Sequence, residues 1–145
     1  MLIIPSIDLE EGRAVKRIRG IRGQYLFVGD PLELARRFSA APLVHIVDLD
    51  GAEAGRPMHV ELARRLRAEL KSCQLGGGLR SLEAIEAALS ACDYAVVGTL
   101  PFVDRALFEE AAEKFGDRLV VSLDVKGDYV MGAGWRVPLM ELDAA

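Results

Sequence analysis

The sequence predicts an α/β fold of the TIM-type (βα)8 barrel class, and three observations support this prediction. Apolar, strand-like runs alternate with segments of helical period along the chain. Two stretches, 5–12 and 121–127, resemble one another, and each has one Asp where an apolar run ends. Four strand-helix units lie between the two Asp residues, which is half of an eight-fold barrel. The chain is therefore expected to form about five parallel strands of such a barrel.

The strand-like runs are short and rich in residues that suit buried parallel strands. They cover residues 2–7, 43–49, 72–75, 94–97 and 119–123. Because such barrels typically have about 250 residues, a chain of 145 residues is expected to be a truncated barrel. Residues 1–145 are interpreted as a single, incomplete domain that lacks strands six to eight.

The helical segments lie between these runs, at 31–40, 58–70, 81–91 and 103–115. Asp30 before Pro31, Ser81 and Asp104 are residues that favour helix N-termini. Gly116 is typical of a helix C-terminus. These signals fix the predicted order as strand and helix in alternation.

Composition excludes several classes of function. The chain is 51% hydrophobic and carries a formal net charge of -4, so it can bury a core but offers no dominant basic surface for nucleic acid. Since no apolar run approaches the roughly 20 residues of a membrane span and the N-terminus lacks a signal-peptide pattern, a cytoplasmic protein without membrane partners is expected. Cys73 and Cys92 lack CxxC spacing and are interpreted as buried structural thiols.

A glycine-rich segment follows the third strand and precedes a helix. Gly76, Gly77 and Gly78 stand next to Arg80, and backbone N–H groups of such a loop bind phosphate well at a helix N-terminus. A tight turn that needs positive φ angles is the alternative. Gly98 and Thr99 follow the fourth strand, so the two loops are expected to share one phosphate. No dinucleotide fingerprint or P-loop is present, which favours a sugar phosphate.

Asp8 and Asp124 are the candidate catalytic pair. A single Asp after a strand usually caps a turn or a helix. Two in matched contexts, at strand ends that face each other across a barrel mouth, favour general acid and general base chemistry.

Other polar residues have weaker patterns. His45 and Asp48 lie around the second strand, where a hydrogen-bonded structural role is the alternative to a substrate contact. No metal site is expected because ligand spacing is absent, and His59 is given no role. The segment 10–29, with its glycines and with Lys16, is interpreted as a long mobile loop that closes over a substrate, or as a solvated basic loop. Trp135 either stacks on a flat ring or anchors a second loop.

Taken together, these segments are similar to one enzyme family, the histidine-biosynthesis isomerase that acts on phosphoribosylformimino-aminoimidazole carboxamide ribotide. The matching stretches, in the family's order, are IIPSIDLEEGRAV, GDPLELARRF, HIVDLDGA, QLGGGLR, VVGT and SLDVKGDYVMGAGW. Members are (βα)8 barrels thought to derive from duplication of a half-barrel, which agrees with the internal repeat.

The resemblance implies an Amadori rearrangement of an aminoaldose to an aminoketose, with no cofactor and a phosphorylated ribonucleotide as substrate. Asp124 matches the general acid that opens the ribose ring, and Asp8 matches the base that removes the proton from C2. Loop residues of the family's phosphate site and substrate contacts match Gly77, Gly78, Arg80, Gly98 and Thr99. Lys16, His45, Asp48 and Trp135 are further possible contacts.

Alternatives remain open from the sequence. The sister cyclase that makes imidazole glycerol phosphate also carries paired Asp residues, and a dual-substrate isomerase that serves tryptophan biosynthesis shares the same core. Exposed strand edges of an incomplete barrel favour self-association, so a half-barrel phosphosugar-binding module without catalysis is a hypothesis of another class. A third hypothesis is an open-sheet phosphosugar-binding protein with another chemistry. The truncated chain by itself is expected to have little or no activity.

Overall fold

A seven-stranded sheet, five of whose strands run parallel, forms the centre of the molecule. In the computed structural model, which describes residues 1–132 and 137–141, this sheet has the strand order β3-β2-β1-β4-β5-β6-β7. The parallel strands are β1 (Ser6–Glu10), β4 (Val44–Asp48), β5 (Cys73–Gly76), β6 (Tyr94–Val97) and β7 (Leu119–Val121). Their order follows the chain, as in a barrel, but the sheet is not closed, so the fold is that of a partial barrel.

Helices connect successive parallel strands. They are α1 (Pro31–Arg37), α2 (Leu49–Ala54), α3 (Val60–Arg67), α4 (Leu82–Ala91), α5 (Leu100–Val103) and α6 (Arg105–Phe115), followed by a 3-10 turn (Gly116–Arg118). The side chains of Asp30, Ser81 and Asp104 accept hydrogen bonds from backbone N–H groups in the first turns of α1, α4 and α6, which confirms the predicted N-termini.

The core lies between the helices and one face of the sheet. Ile7 and Leu9 of β1 and Val44 and Ile46 of β4 are fully buried in one cluster with residues of α3 and α4. Because side chains alternate across a strand, Asp8 and His45 lie on the opposite, concave face. The helix-covered face thus stabilises the sheet, and the concave face presents the polar residues.

Two antiparallel strands take the place of the predicted mobile loop at 10–29. β2 (Arg13–Ile18) pairs with β1, and β3 (Ile21–Gly29) pairs with β2. Tight two-residue turns at Glu11–Gly12 and Arg19–Gly20 join them, with positive φ at all four residues, as type I′ hairpins require. The loop interpretation was therefore wrong.

A second, smaller sheet follows β7. It contains β8 (Asp124–Lys126), β9 (Tyr129–Gly132) and β10 (Val137–Glu141) in antiparallel order. The predicted fifth strand at 119–123 is consequently too long, because β7 ends at Val121 and the next strand, β8, begins at Asp124. Similarly, the first predicted strand began too early, since Met1, Leu2 and Ile3 are exposed and precede β1.

Cys73 and Cys92 form a disulfide, with Cα atoms 5.3 Å apart. The expectation of separate thiols was wrong because the start of β5 and the end of α4 are adjacent in space although 19 residues apart in sequence. Asp93 supports the same junction. Its carboxylate accepts from Cys73 N–H (2.9 Å) and pairs with Arg67 (2.7 Å).

Within the described residues, none of the helices combines the length and apolar character that a bilayer span requires.

Candidate functional site

Asp8 lies in the middle of β1, on the concave face of the sheet. It is paired in register with Val15 of β2 on one side and with Val47 of β4 on the other. The Ser6 hydroxyl donates to Asp8 Oδ1 at 3.1 Å. Asp8 is thus held by strands on both sides and keeps its carboxylate on an accessible face.

A cavity of about 200 Å³ adjoins this carboxylate. It is lined by Ser6, Asp8, Val15, Lys16, Phe27 and Leu34. Lys16 on β2 faces Phe27 on β3 as its register partner, so the hairpin forms one wall of the cavity. The structure therefore brings together two predicted site residues, Asp8 and Lys16, and adds Phe27, which the sequence analysis did not single out.

Asp124 begins β8, beyond the far end of the parallel sheet. It is partly buried, and this burial raises the pKa of its carboxyl above the ordinary value of 3.8. Asp124 is not among the described residues that line the Asp8 cavity. Three strands, β4, β5 and β6, separate β1 from β7, so the two acids lie at the two sides of the partial barrel.

The two Asp residues nevertheless have the same register position in a hairpin. Asp8 is in register with Val15, and Asp124 is in register with Met131, which is seven residues further on in both cases. Each Asp stands three residues before a two-residue turn, at Glu11–Gly12 and at 127–128. The sequence repeat is therefore a repeat of structure, consisting of one Asp on the first strand of a tight hairpin.

Buried Glu10 is the centre of an ion-pair network on the β1 side. Arg17, Arg22 and the Tyr25 hydroxyl all donate to its carboxylate. Burial by itself raises the pKa of Glu10, but the hydrogen bonds from Tyr25 and Arg17 outweigh burial and lower it below 4.5. Arg17 and Arg22 also pair with Glu53 of α2, at 2.9 and 2.8 Å. These contacts bind the β2–β3 hairpin to α2.

Asp48 and His59 form a second fixed cluster, behind the glycine loop. Asp48 is fully buried and accepts from the N–H groups of Gly51 (2.8 Å), Met58 (2.6 Å) and His59 (2.9 Å). The His59 imidazole contacts Asp48 through Nδ1 (2.8 Å) and accepts from Gly12 N–H through Nε2 (3.0 Å). Assigning no role to His59 was therefore wrong, and Asp48 holds the β4–α2 and α2–α3 connections.

These residues are also the ones that could bind a metal. Ligand atoms of Asp48, Asp50 and His59 lie within 4.8 Å of one another. Each already contacts N–H groups of this chain, since Asp50 Oδ2 accepts from Glu11 N–H at 2.6 Å. Their proximity is thus explained by hydrogen bonds that hold the β1–β2 turn against α2 and α3.

The glycine loop after β5 packs directly on this cluster. Gly77 and Gly78 have φ angles of 120° and 75°. A Cβ at Gly77 would overlap the carbonyl oxygen of Asp48, and a Cβ at Gly78 would overlap that of Gly51. Glycine is thus required at both positions by conformation and by packing, which is the alternative reading of this loop. This requirement concerns the space around the Cα atoms of the loop. It therefore neither supports nor contradicts phosphate binding by the backbone N–H groups.

The remaining predicted residues surround the same edge of the sheet. Gly98 and Thr99 follow β6, which neighbours β5, so the two loops are adjacent. Arg80 is exposed, and its guanidinium approaches Gly55 at the end of α2. His45 is half-buried on β4 and lies 3.1 Å from the Gln74 amide nitrogen. Trp135 lies outside the described residues.

Sequence reasoning missed Glu10, Gln74 and the pairing roles of Arg17 and Arg22. The sequence did contain a signal for strands β2 and β3. Ala14 and Val15 stand between charged residues, and Glu-Gly and Arg-Gly dipeptides mark the two turns. For Glu10 and Gln74 the signal was only their position on predicted strands.

The family described as "Histidine biosynthesis protein" matches residues 2–144. The chain belongs to this family. Its members are (βα)8 barrels, which agrees with the parallel sheet described above. The resemblance stated from the motifs is confirmed.

Three curated relatives that this chain matches carry the same name, 1-(5-phosphoribosyl)-5-((5-phosphoribosylamino)methylideneamino)imidazole-4-carboxamide isomerase. The protein from Pyrobaculum aerophilum is 62% identical over 136 residues, which is 93% of this chain and 59% of the relative. That from Thermus thermophilus is 43% identical over 141 residues (94% and 60%), and that from Roseiflexus sp. 37% over 140 residues (93% and 59%). The chain thus spans about three fifths of the relatives it matches.

Proposed function

We propose that this chain provides the general base, the general acid and one phosphate-binding edge of an aminoaldose–aminoketose isomerase of histidine biosynthesis. One observation carries the proposal, namely the repeated hairpin that gives Asp8 and Asp124 the same register position at the two sides of the partial barrel. In a closed (βα)8 barrel, strands one and five lie opposite each other across the mouth where substrates bind. The relatives named as isomerases supply the reaction class.

In the proposed mechanism the two acids have different tasks. Asp124, whose raised pKa favours the protonated form, donates a proton to the ribose ring oxygen as the C1–O bond breaks and a Schiff base forms. Asp8 then removes the proton from C2, and the electron pair of that bond moves to give the enolamine. Tautomerisation of the enolamine gives the aminoketose. Protons are conserved in this sequence, so no cofactor is required.

The substrate is proposed to lie over the concave face, with one phosphate at the loops after β5 and β6. Gly77 and Gly78 keep the first loop free of side chains, and in the neighbouring loop Gly98 does the same while Thr99 adds a hydroxyl donor. Positive φ angles at Gly77 and Gly78 and the N-terminus of the ten-residue helix α4 support an anion site. Lys16 and Arg80 supply positive charge at the rim, and His45 lies near Asp8.

An isomerase assay with the aminoaldose substrate tests the acid-base pair. The chain, co-expressed with the complementary segment described in the next paragraph, is compared with its Asp8→Asn and Asp124→Asn variants and with the matched control Asp128→Asn, which alters an exposed turn residue of the Asp124 hairpin. We expect loss of at least about 100-fold in kcat for the first two variants and no loss for the control. Turnover retained in both Asp8→Asn and Asp124→Asn would overturn the pair.

The remaining two fifths of the relatives' length can be supplied in trans. The segment of the Pyrobaculum aerophilum isomerase that follows its aligned region is co-expressed with this chain. Turnover that appears only with this segment supports a shared site. A folded complex of the two that has no turnover contradicts the proposed activity.

A second candidate function is a self-associating, phosphosugar-binding module. Its supporting observation is exposed apolar side chains at two places. Met1, Leu2 and Ile3 precede the interior strand β1, and Val121 and Leu123 lie at the end of β7, an edge strand of the large sheet. Light scattering distinguishes a dimeric from a monomeric chain. A stable dimer that binds ribose 5-phosphate without turnover favours the module, and a monomer contradicts it.

A further inference from the structure

A row of polar residues crosses the concave face of the sheet one step below Asp8. Ser6 is in register with His45, His45 with Gln74, and Gln74 with Tyr94. The next row towards the strand ends contains Asp8, Val47, Gly76 and Val96 in the same way. The polar row therefore forms the floor beneath the Asp8 carboxylate.

Gln74 is the hydrogen-bonding partner of His45 in this row. The Gln74 Nε2 atom lies 3.1 Å from His45 Nδ1. An amide NH2 group only donates, so Nδ1 must accept, and the proton of a neutral imidazole then resides on Nε2. Burial lowers the pKa of His45, opposed in part by the Asp8 carboxylate, which favours the neutral ring.

His59, the second of the chain's two histidines, is held in the opposite way. Its Nδ1 lies 2.8 Å from Asp48 Oδ1, and its Nε2 lies 3.0 Å from the Gly12 N–H group. A carboxylate only accepts and a backbone N–H only donates, so the proton of neutral His59 is on Nδ1. These contacts favour opposite tautomers for the two histidines, through Gln74 at His45 and through Asp48 and Gly12 at His59.

We propose that Gln74 is a positioning residue that holds His45 in the Nε2–H form, so that the floor beside Asp8 presents a neutral N–H donor. Such a donor binds an oxygen acceptor of the ligand, a hydroxyl or a phosphate oxygen. It does not compete with Asp8 as a base, because the lone pair of Nδ1 is occupied by Gln74. The benefit to catalysis rests on the proposed function, whereas the tautomer does not.

Long-range 1H–15N NMR correlations of the 15N-labelled chain at neutral pH test the tautomers directly, and His59→Gln assigns the signals. We expect His45 to show a pyrrole-type Nε2 and a pyridine-type Nδ1, and His59 to show the reverse pattern. His45 with its proton on Nδ1 in the unaltered chain would overturn the inference.

Two substitutions of Gln74 test the cause. In Gln74→Glu a carboxylate replaces the donor, so the His45 proton should move to Nδ1 or the ring should become charged at a higher pH. The charged and titratable groups that face it are Asp8 on β1, the new carboxylate on β5 and Tyr94 on β6. Gln74→Leu should leave a mixture of tautomers. A His45 pattern unchanged in both variants contradicts the role of Gln74.

His59 serves as the internal control, because its signals should be the same in all Gln74 variants. If they also move, the variants have altered the fold, and Gln74→Met, which keeps the side-chain length, replaces them in the comparison. Since the spectra need no turnover, an inactive chain with the expected tautomers contradicts only the proposed function. An active chain with the opposite His45 tautomer contradicts only the inference about Gln74.

Discussion

The hairpin that carries Asp8 and the hairpin that carries Asp124 begin from similar sequences and have the same register, yet they are supported differently. The first strand of the Asp8 hairpin pairs with β2 and β4 and belongs to the large sheet. The Asp124 hairpin, formed by β8 and β9, pairs with none of the large sheet's strands in the part of the chain that the structure describes. Val130 is buried, so the hairpin packs on its surroundings without hydrogen-bonding to that sheet.

The repeated motif thus specifies a tight hairpin and its register, while neighbouring strands decide how firmly its Asp is held. Glu10, Arg17 and Arg22 bind the first hairpin to α2. Lys126 stands at the position that corresponds to Glu10, and it forms no ion pair with the residues that the structure describes. The first Asp is therefore preorganised by its own hairpin, whereas the second depends on what packs against it.

Amide hydrogen exchange should show the largest contrast. Amides of β1 should open only with global unfolding, which costs about 5–15 kcal/mol in typical domains. Amides of β8 should exchange with an opening free energy several kcal/mol smaller, because a small sheet alone is marginally stable. Equal protection in both hairpins, measured by mass spectrometry of peptides covering 6–15 and 124–131, would remove the distinction.

Glu10→Ala should break the support of the first hairpin. It leaves Arg17 without its buried partner, and removing one member of a buried ion pair costs about 3–5 kcal/mol. We expect the free energy of unfolding, measured by urea denaturation, to fall by about 3 kcal/mol, because Arg17 retains its ion pair with Glu53. Glu11→Ala is the matched control and should cost under about 1 kcal/mol, since Glu11 is exposed and its ion pair lies on the surface.

The same network predicts a pH dependence. The pKa of Glu10 is lowered in the folded state, so its contribution is present above the ordinary value and disappears as the pH falls through the folded-state pKa. The stability difference between the unaltered chain and Glu10→Gln should accordingly shrink below pH 4.5. A difference that is constant from pH 7 to pH 3 would contradict the charged network.

Gly12→Ala and Gly127→Ala compare the two turns. Both glycines have positive φ, 78° and 61°, and open space where a Cβ would stand, so each substitution has a local cost of about 1–2 kcal/mol. Only for the Gly12 variant should the free energy of global unfolding fall by that amount. If Gly127→Ala costs as much, the Asp124 hairpin unfolds together with the large sheet.

Asp124→Asn should have the smallest effect and the opposite sign. Burial raises the pKa of Asp124, so its favourable contribution exists at low pH and is lost as the pH rises through the folded-state pKa. The neutral amide should therefore stabilise the chain by less than about 1 kcal/mol at pH 7 and by nothing at pH 3. Destabilisation at pH 7 would show that the carboxylate makes favourable contacts.

Local patterns predicted much of this fold. The run at 94–97 coincides with β6, and the caps Asp30, Ser81 and Asp104 act as expected because their hydrogen bonds are made within a few residues. The family followed from the order of the motifs. The site roles of Asp8, Asp124 and the glycine loop stay predictions.

What sequence reasoning missed depends on contacts between distant segments. The Cys73–Cys92 disulfide requires knowing that β5 begins beside the end of α4. His59 was overlooked because its partners, Asp48 and the Gly12 N–H group, belong to other units of the barrel. Likewise Arg17 and Arg22 looked like residues of a solvated loop, because Glu10, Asp50 and Glu53, which pair with them, lie on β1 and α2.

The overlap that any side chain at Gly77 or Gly78 would make with the β4–α2 turn limits how this protein can be redesigned. The two loops form one mutational unit, because a larger residue in the glycine loop is accommodated only if the backbone at Asp48 and Gly51 is rebuilt at the same time. A search for variants with a new substrate range should therefore leave this unit intact. Diversity is better introduced at Lys16 and Phe27, whose exposed side chains line the cavity beside Asp8.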